Sequence, residues 1–142
     1  LAFCKDWAGV DETVHAAQDP DAELVQLTNG DYPTVVFDAT GNASSMTQAF
    51  QYVAHGGKLV YVGLVKADIA FHDPEFHKRE MTLMGSRNAT KADFNAVLDA
   101  VRQGGIDVER FITHRASFDE MIDQFETWLK PESQVIKAMV EL

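Results

Sequence analysis

Thr34-Val35-Val36-Phe37 is an unbroken apolar, β-branched and aromatic run that stops abruptly at Asp38-Ala39-Thr40-Gly41-Asn42. A strand without polar alternation is what a parallel sheet covered on both faces requires. The small polar loop that follows carries a glycine, which lets backbone approach a ligand closely. In open α/β sheets ligands bind outside the carboxyl ends of the strands. The stretch therefore predicts a ligand crevice at the end of a buried strand. The bland alternative is a loop that only turns the chain.

The other elements fit the same scheme. Leu1 to Ala8 reads as the last turns of a helix stopped by Gly9, and Thr13 to Ala16 as a short strand. Asp19 caps a helix with Pro20 at its first position, and Asn29-Gly30 closes it. Met46, Ala49, Phe50 and Val53 form an i, i+3, i+4, i+7 stripe ended by Gly56-Gly57, before a strand over Lys58 to Gly63. Strand and helix alternate with short connections, which predicts right-handed βαβ units.

Further on, Asp68 to Phe71 reads as a short extended piece. Asp73-Pro74 starts a helical turn ending near Glu80, with Asp73 as its cap, and Met81 to Ser86 reads as a strand. Thr90 with Asp93, and Ser117 with Glu120, have capping-box spacing. The first pair introduces a stripe of Phe94, Val97, Leu98 and Val101 ended by Gly104-Gly105; the second introduces Ile122, Phe125 and Leu129. Pro131 stops the last helix, and Val135 to Val140 forms the final strand.

Bulk properties narrow the function. The chain has 142 residues and a net charge of −10. That charge disfavours nucleic acid or an anionic membrane as partner, though backbone amides and helix N-termini still accommodate a nucleotide. Cys4 is the sole cysteine, so neither an internal disulfide nor a Cys-rich zinc site is expected, and a reduced, cytoplasmic setting fits. No apolar run approaches the ~20 residues of a membrane span. The apolar start at Leu1, without Met or cap, reads as part of a longer protein.

Three strand-end loops could converge on one ligand: Asp38 to Asn42, Val62-Gly63-Leu64 and Gly85-Ser86-Arg87-Asn88. Small residues, amides and neutral hydroxyls suit a dinucleotide better than a metal. The G-x-G-x-x-G phosphate fingerprint and its following acidic residue are absent. His72 and His77 are five apart, not the i, i+4 spacing of a helical metal pair. His77, Lys78 and Arg79 instead suit the negative end of a short helix. No carboxylate or nucleophile is spaced to make a dyad with His114, and no catalytic or metal residue is assigned.

The D-A-T-G-N turn, the helix ending H-G-G, K-L-V-Y-V-G-L, F-H-K-R-E-M-T-L-M-G-S-R-N-A-T and terminal V-I-K-A-M-V-E-L occur in order along the chain. Together they resemble the C-terminal part, about two-fifths, of a medium-chain dehydrogenase of the zinc-type alcohol and polyol dehydrogenase family. The resemblance is nearest to sugar-acid or polyol members. It implies an α/β fold: a partial Rossmann-type parallel sheet with flanking helices, lacking its first βα unit, plus a C-terminal helix and strand. Residues 1–110 would be coenzyme-binding and 111–142 would return to a catalytic domain.

The resemblance implies NAD or NADP as coenzyme, bound weakly or not at all by this chain alone. Thr40, Gly41 and Asn42 would lie beside the nicotinamide half, with Val62, Gly63 and Leu64 offering backbone contacts to its carboxamide. Ser86, Arg87 and Asn88 would follow, with Lys137 near the pyrophosphate. Zinc would belong only to the parent enzyme, and the substrate would be a small-molecule alcohol, polyol or sugar acid. The Met81 to Gly85 edge strand would join two subunits as a homodimer. Two other readings remain: a zinc-free, quinone-reductase-like NADPH enzyme, and a non-catalytic dimerising or ligand-binding module.

Overall fold

A computed structural model describes all of residues 1–142. In chain order the elements are α1 (Ala2–Ala8), α2 (Pro20–Leu27), β1 (Val35–Asp38), α3 (Ala43–Gln48) with a 3-10 turn over Ala49–Tyr52, β2 (Lys58–Tyr61) and α4 (Asp73–Lys78). Next come β3 (Thr82–Gly85), α5 (Lys91–Arg102), α6 (Val108–Phe111), β4 (His114–Ser117), α7 (Phe118–Trp128), a 3-10 turn over Pro131–Ser133 and β5 (Ala138–Glu141). They form two compact units, Val14–Asn88 and Leu1–Thr13 with Ala89–Leu142.

The Val14–Asn88 unit holds a three-stranded parallel sheet in the order β1-β2-β3. Its core is formed by Ala49, Phe50, Val53, Leu59 and Met81, with Val36, Tyr61, Ile69 and Phe76 packed against them. Leu59 and Val53 are completely buried. Phe50 stacks on Phe71 with centroids 4.5 Å apart and meets Tyr61 and Phe76 edge-on. Aromatic contacts of this kind add to the burial of the rings. Arg79 donates to the carbonyls of Gln51 and Val53 at 2.9 and 2.8 Å and lies over the Tyr32 ring. It thus satisfies the carbonyls at the end of the 3-10 turn, which would otherwise be orphaned.

The sheet is covered on one face only. Val36 and Leu59 share a register row and belong to the core, whereas Val35 and Phe37 alternate onto the other face and are exposed, Phe37 by 67%. An apolar run thus predicts a strand here without securing burial of both its faces.

The other unit pairs β4 with β5 in parallel through α7. Arg115 on β4 bridges Glu141 of β5 and Glu109 of α6 at 3.2 and 3.0 Å. Trp7 of α1 stacks between Phe3 and Phe111 and donates its indole N–H to the Asp107 carbonyl at 2.8 Å, beside an Asp6–Arg110 ion pair. Both expected capping boxes form: Thr90 with Asp93, and Ser117 with Glu120. The helices they start carry the expected apolar stripes, yet Phe94, Val97, Leu98, Ile122, Phe125 and Leu129 are exposed.

Three local expectations change, and one strand appears where none was expected. Thr13 to Ala16 is not a strand: no neighbouring strand pairs with it, and His15 instead accepts from Gln18 and Ala17 in a turn. Asp68 to Phe71 is likewise coil. His72, not Asp73, is the cap position of α4, and Asp73 turns its carboxylate to His77 at 3.0 Å. His114–Ser117, with no apolar pattern to announce it, is a strand because β5 supplies its ladder. Truncating the fully buried Leu59 to Ala should destabilise the chain by about 2–5 kcal/mol in urea denaturation.

Candidate functional site

The register of the three parallel strands brings their carboxyl ends level. Asp38 pairs with Tyr61, and Tyr61 with Gly85, so three loops leave one edge side by side. The loops after β2 and β3 border a cleft of about 560 Å³ lined by Val62, Gly63 and Leu64, by Ser86, Arg87 and Asn88, and by Met46, Tyr61, Val65 and Ile69 among others. Apolar walls with a few polar groups are the usual makeup of a small-molecule site.

Asp38 organises the rim and is itself buried. Its Oδ1 accepts from the Thr40 amide and hydroxyl at 2.9 and 2.8 Å, and its Oδ2 from the Ser45 hydroxyl at 2.7 Å. Its carbonyl accepts from the amides of Val62 and Gly63 at 2.8 and 2.9 Å. One residue therefore ties the β1–α3 loop to the loop after β2. Burial by itself would raise the Asp38 carboxyl, but the hydrogen bonds from Ser45 and Thr40 outweigh it and hold the group below the usual carboxylate range.

The two loops touch through backbone. A Cβ built on Gly63 would fall 2.5 Å from the Gly41 amide nitrogen, and one on Gly41, at φ +61°, would meet the Leu64 carbonyl at 3.3 Å. No larger residue fits at Gly63 without parting the loops. Tyr61 donates its phenol to the Met46 carbonyl at 2.6 Å, joining β2 to α3. Burial, with the Asp38 charge beside it, pushes this phenol up to about 12. Tyr61 is therefore a protonated donor at neutral pH and no base.

Nine of the ten residues singled out from the sequence lie in these loops, but they do different things. Val62, Gly63, Leu64, Ser86, Arg87 and Asn88 line the cleft, and Arg87 is in no ion pair. Thr40 and Asn42 turn their side chains inward on the loop: the Thr40 hydroxyl also accepts from the Asn42 amide, and Asn42 Oδ1 caps α3 by accepting from Ser44 and Ser45 amides. Gly41 backs the cleft wall without lining it. Lys137 belongs to the other unit, where its carbonyl accepts from Thr113 and His114 amides ahead of β5.

Sequence reasoning missed Asp38 as the organiser and Met46, Tyr61, Val65 and Ile69 as wall residues. The signal for Asp38 was present: an acid ending an apolar strand, with hydroxyls two and seven residues on, is placed to receive local donors. The wall residues offered none, because they converge only through the fold.

A profile of the family described as zinc-binding dehydrogenase matches residues 1–103. The chain belongs to this family of oxidoreductases. The matched part of these dehydrogenases is their coenzyme domain. Among curated proteins, the L-galactonate-5-dehydrogenase of Escherichia coli is 39% identical over 125 residues, covering 88% of this chain and 37% of that protein. The D-xylulose reductase of Scheffersomyces stipitis is 28% identical, covering 99% of this chain and 41% of its own length. The chain thus spans about two-fifths of these relatives.

A crystal structure of an Escherichia coli oxidoreductase/dehydrogenase of unknown specificity matches with TM-score 0.89 at 25% identity, over 99% of this chain and 40% of that one. An Escherichia coli alcohol dehydrogenase complexed with NADH has the same fold, with TM-score 0.81 at 24% identity over 94% of this chain and 39% of that one.

The Asp38 network sets a pH dependence. A carboxyl held low in the folded state stabilises it above the unfolded value, about 4, and that contribution disappears as pH falls through the folded value. Asp38→Asn should therefore cost about 1–3 kcal/mol at pH 7. The difference from the parent should shrink steadily below about pH 4 in thermal melts.

Proposed function

We propose that this chain is the coenzyme-binding part of a longer NAD(P)-dependent, zinc-type dehydrogenase that oxidises a secondary alcohol of a polyol or sugar acid. The observation carrying this reading is the cleft at the carboxyl ends of β2 and β3, on the edge where open α/β sheets take nucleotides. The substrate class is supported by relatives named for L-galactonate, D-xylulose and L-arabinitol. The extent of the parent is supported by the share of those relatives that the chain spans.

The residues present fit a dinucleotide. The glycine contact at Gly63 and Gly41 lets the two loops close against each other behind the wall that Gly63 and Leu64 form. The amides of Leu64 and Val65 make no hydrogen bond within the chain and are free to bind a carboxamide. Arg87 supplies positive charge at the rim, where a phosphate of the coenzyme would gain from it. NAD(P), when bound, takes up the hydride leaving the alcohol carbon. This chain's contribution is to bind and orient: Val62, Leu64 and Ile69 exclude water from one side, and Tyr61 keeps its proton while donating it in a hydrogen bond to the Met46 carbonyl. Thr40, Gly41 and Asn42 support that wall from behind. For Lys137, a place near the pyrophosphate is supported by the family resemblance alone.

Zinc does not fit here. No three His, Cys, Asp or Glu side chains gather as a metal requires, so its ligands would belong to the remainder of the enzyme. No helix is long and apolar enough to cross a membrane. The free edge of β3, with Thr82 to Gly85 all exposed and Leu83 and Met84 apolar, supports pairing of two subunits there.

Titrating the isotopically labelled full-length enzyme with millimolar NAD should shift the amides of residues 40–42, 62–65 and 86–88 saturably. Absent or scattered shifts would sink the coenzyme reading. For the dimer, L83K should raise the dissociation constant at least about tenfold in sedimentation, since a buried unpaired charge costs more than 1.4 kcal/mol. An unchanged dimer would exclude the strand as the main interface.

A further inference from the structure

Asp38 does not line the cleft, yet its carboxylate holds the loop after β1, its carbonyl holds the loop after β2, and the two loops meet at the Gly41–Gly63 contact. We infer that Asp38 is a positioning residue for the dinucleotide, acting through Thr40 and Ser45 to fix the Gly41–Gly63–Leu64 wall. This rests on the coenzyme reading above and deepens it.

The argument is one of geometry. The β1–α3 loop has four residues, Ala39 to Asn42, and Gly41 among them has φ +61°. Such a loop has little ladder of its own and is held by side chains. Thr40 pins its middle, and Ser45, one turn into α3, pins the helix that the loop enters. Both hydroxyls donate to one carboxylate, so the loop and the helix are fixed relative to the end of β1. The same residue's carbonyl fixes Val62 and Gly63. Releasing either hydroxyl would loosen Gly41 against Gly63, where the backbones already touch, and the Leu64 backbone that Gly41 abuts would shift with it.

A purely structural carboxylate would stabilise the chain without setting the affinity of the cleft. The two roles separate by comparing variants that spare Asp38, which itself is too buried to remove safely. Ser45→Ala and Thr40→Val each delete one donor. Arg79→Lys removes contacts to the Gln51 and Val53 carbonyls, outside the cleft, and serves as a variant that loses stability only.

The full-length enzyme and each variant would be melted by circular dichroism and titrated with NADH, following amide shifts of Leu64 and Arg87. S45A and T40V should raise Kd about tenfold, the effect of losing one hydrogen bond to a charged group. T40S, which keeps a hydroxyl, should restore most of the affinity lost in T40V. R79K should bind as the parent does despite a lower melting temperature. If S45A and T40V lower the melting temperature but bind NADH unchanged, the positioning role fails while the coenzyme reading stands. If R79K weakens binding equally, affinity follows global stability and the role also fails. If the unaltered full-length enzyme shows no saturable shifts, the coenzyme reading itself falls.

Discussion

The buried carboxylate of Asp38 accepts three hydrogen bonds from the loop and helix that follow it, while its carbonyl accepts two more from the neighbouring strand's exit. A buried charge is tolerated only where its lone pairs are occupied by donors. The need to satisfy this one group therefore dictates the shape of the first loop, the entry angle of α3 and the separation of β1 from the loop after β2. Gly63 can then be nothing larger, because the backbones meet at that point. The floor of the cleft follows from these contacts in turn.

Around this anchor the core is small and one-sided. Leu59 and Val53 are fully buried beneath the 3-10 turn and the Phe50–Phe71–Phe76 cluster, whereas Val35, Phe37 and Met84 stay exposed. Local order elsewhere rests on caps. α5 and α7 begin with reciprocal capping boxes whose carboxylates, Asp93 and Glu120, are held low by hydrogen bonds from Thr90 and Ser117. Their apolar stripes nonetheless face solvent. Helix start and helix burial are separate matters, decided by different ranges of interaction.

Much of the fold was legible where a few adjacent residues suffice. Asp19-Pro20 announced α2, Gly9 ended α1, and the apolar runs announced β1, β2 and β3. Thr13 to Ala16 looked equally like a strand and is not one, because strand formation needs a partner that no local pattern guarantees. His114–Ser117 is the converse case: its composition suggests nothing, and the β5 ladder makes it a strand. At the site, the loops were legible from glycines and small residues after strands. The division between Leu64 or Arg87, which line the cleft, and Thr40 or Asn42, whose side chains are spent on the turn, was not.

By itself the sequence determined family, fold class, most of the helix caps and the small-residue loops that leave the parallel strands. Each of these follows from residue type at spacings of a few positions, or from an ordered set of short motifs. Tertiary structure alone decided that Asp38, Tyr61 and Gly85 stand in one row, that Gly63 abuts Gly41, and that Met46 and Ile69 join the wall. Those outcomes depend on strand register and on packing between residues tens of positions apart, which the hydrogen-bond ladder and the core select together.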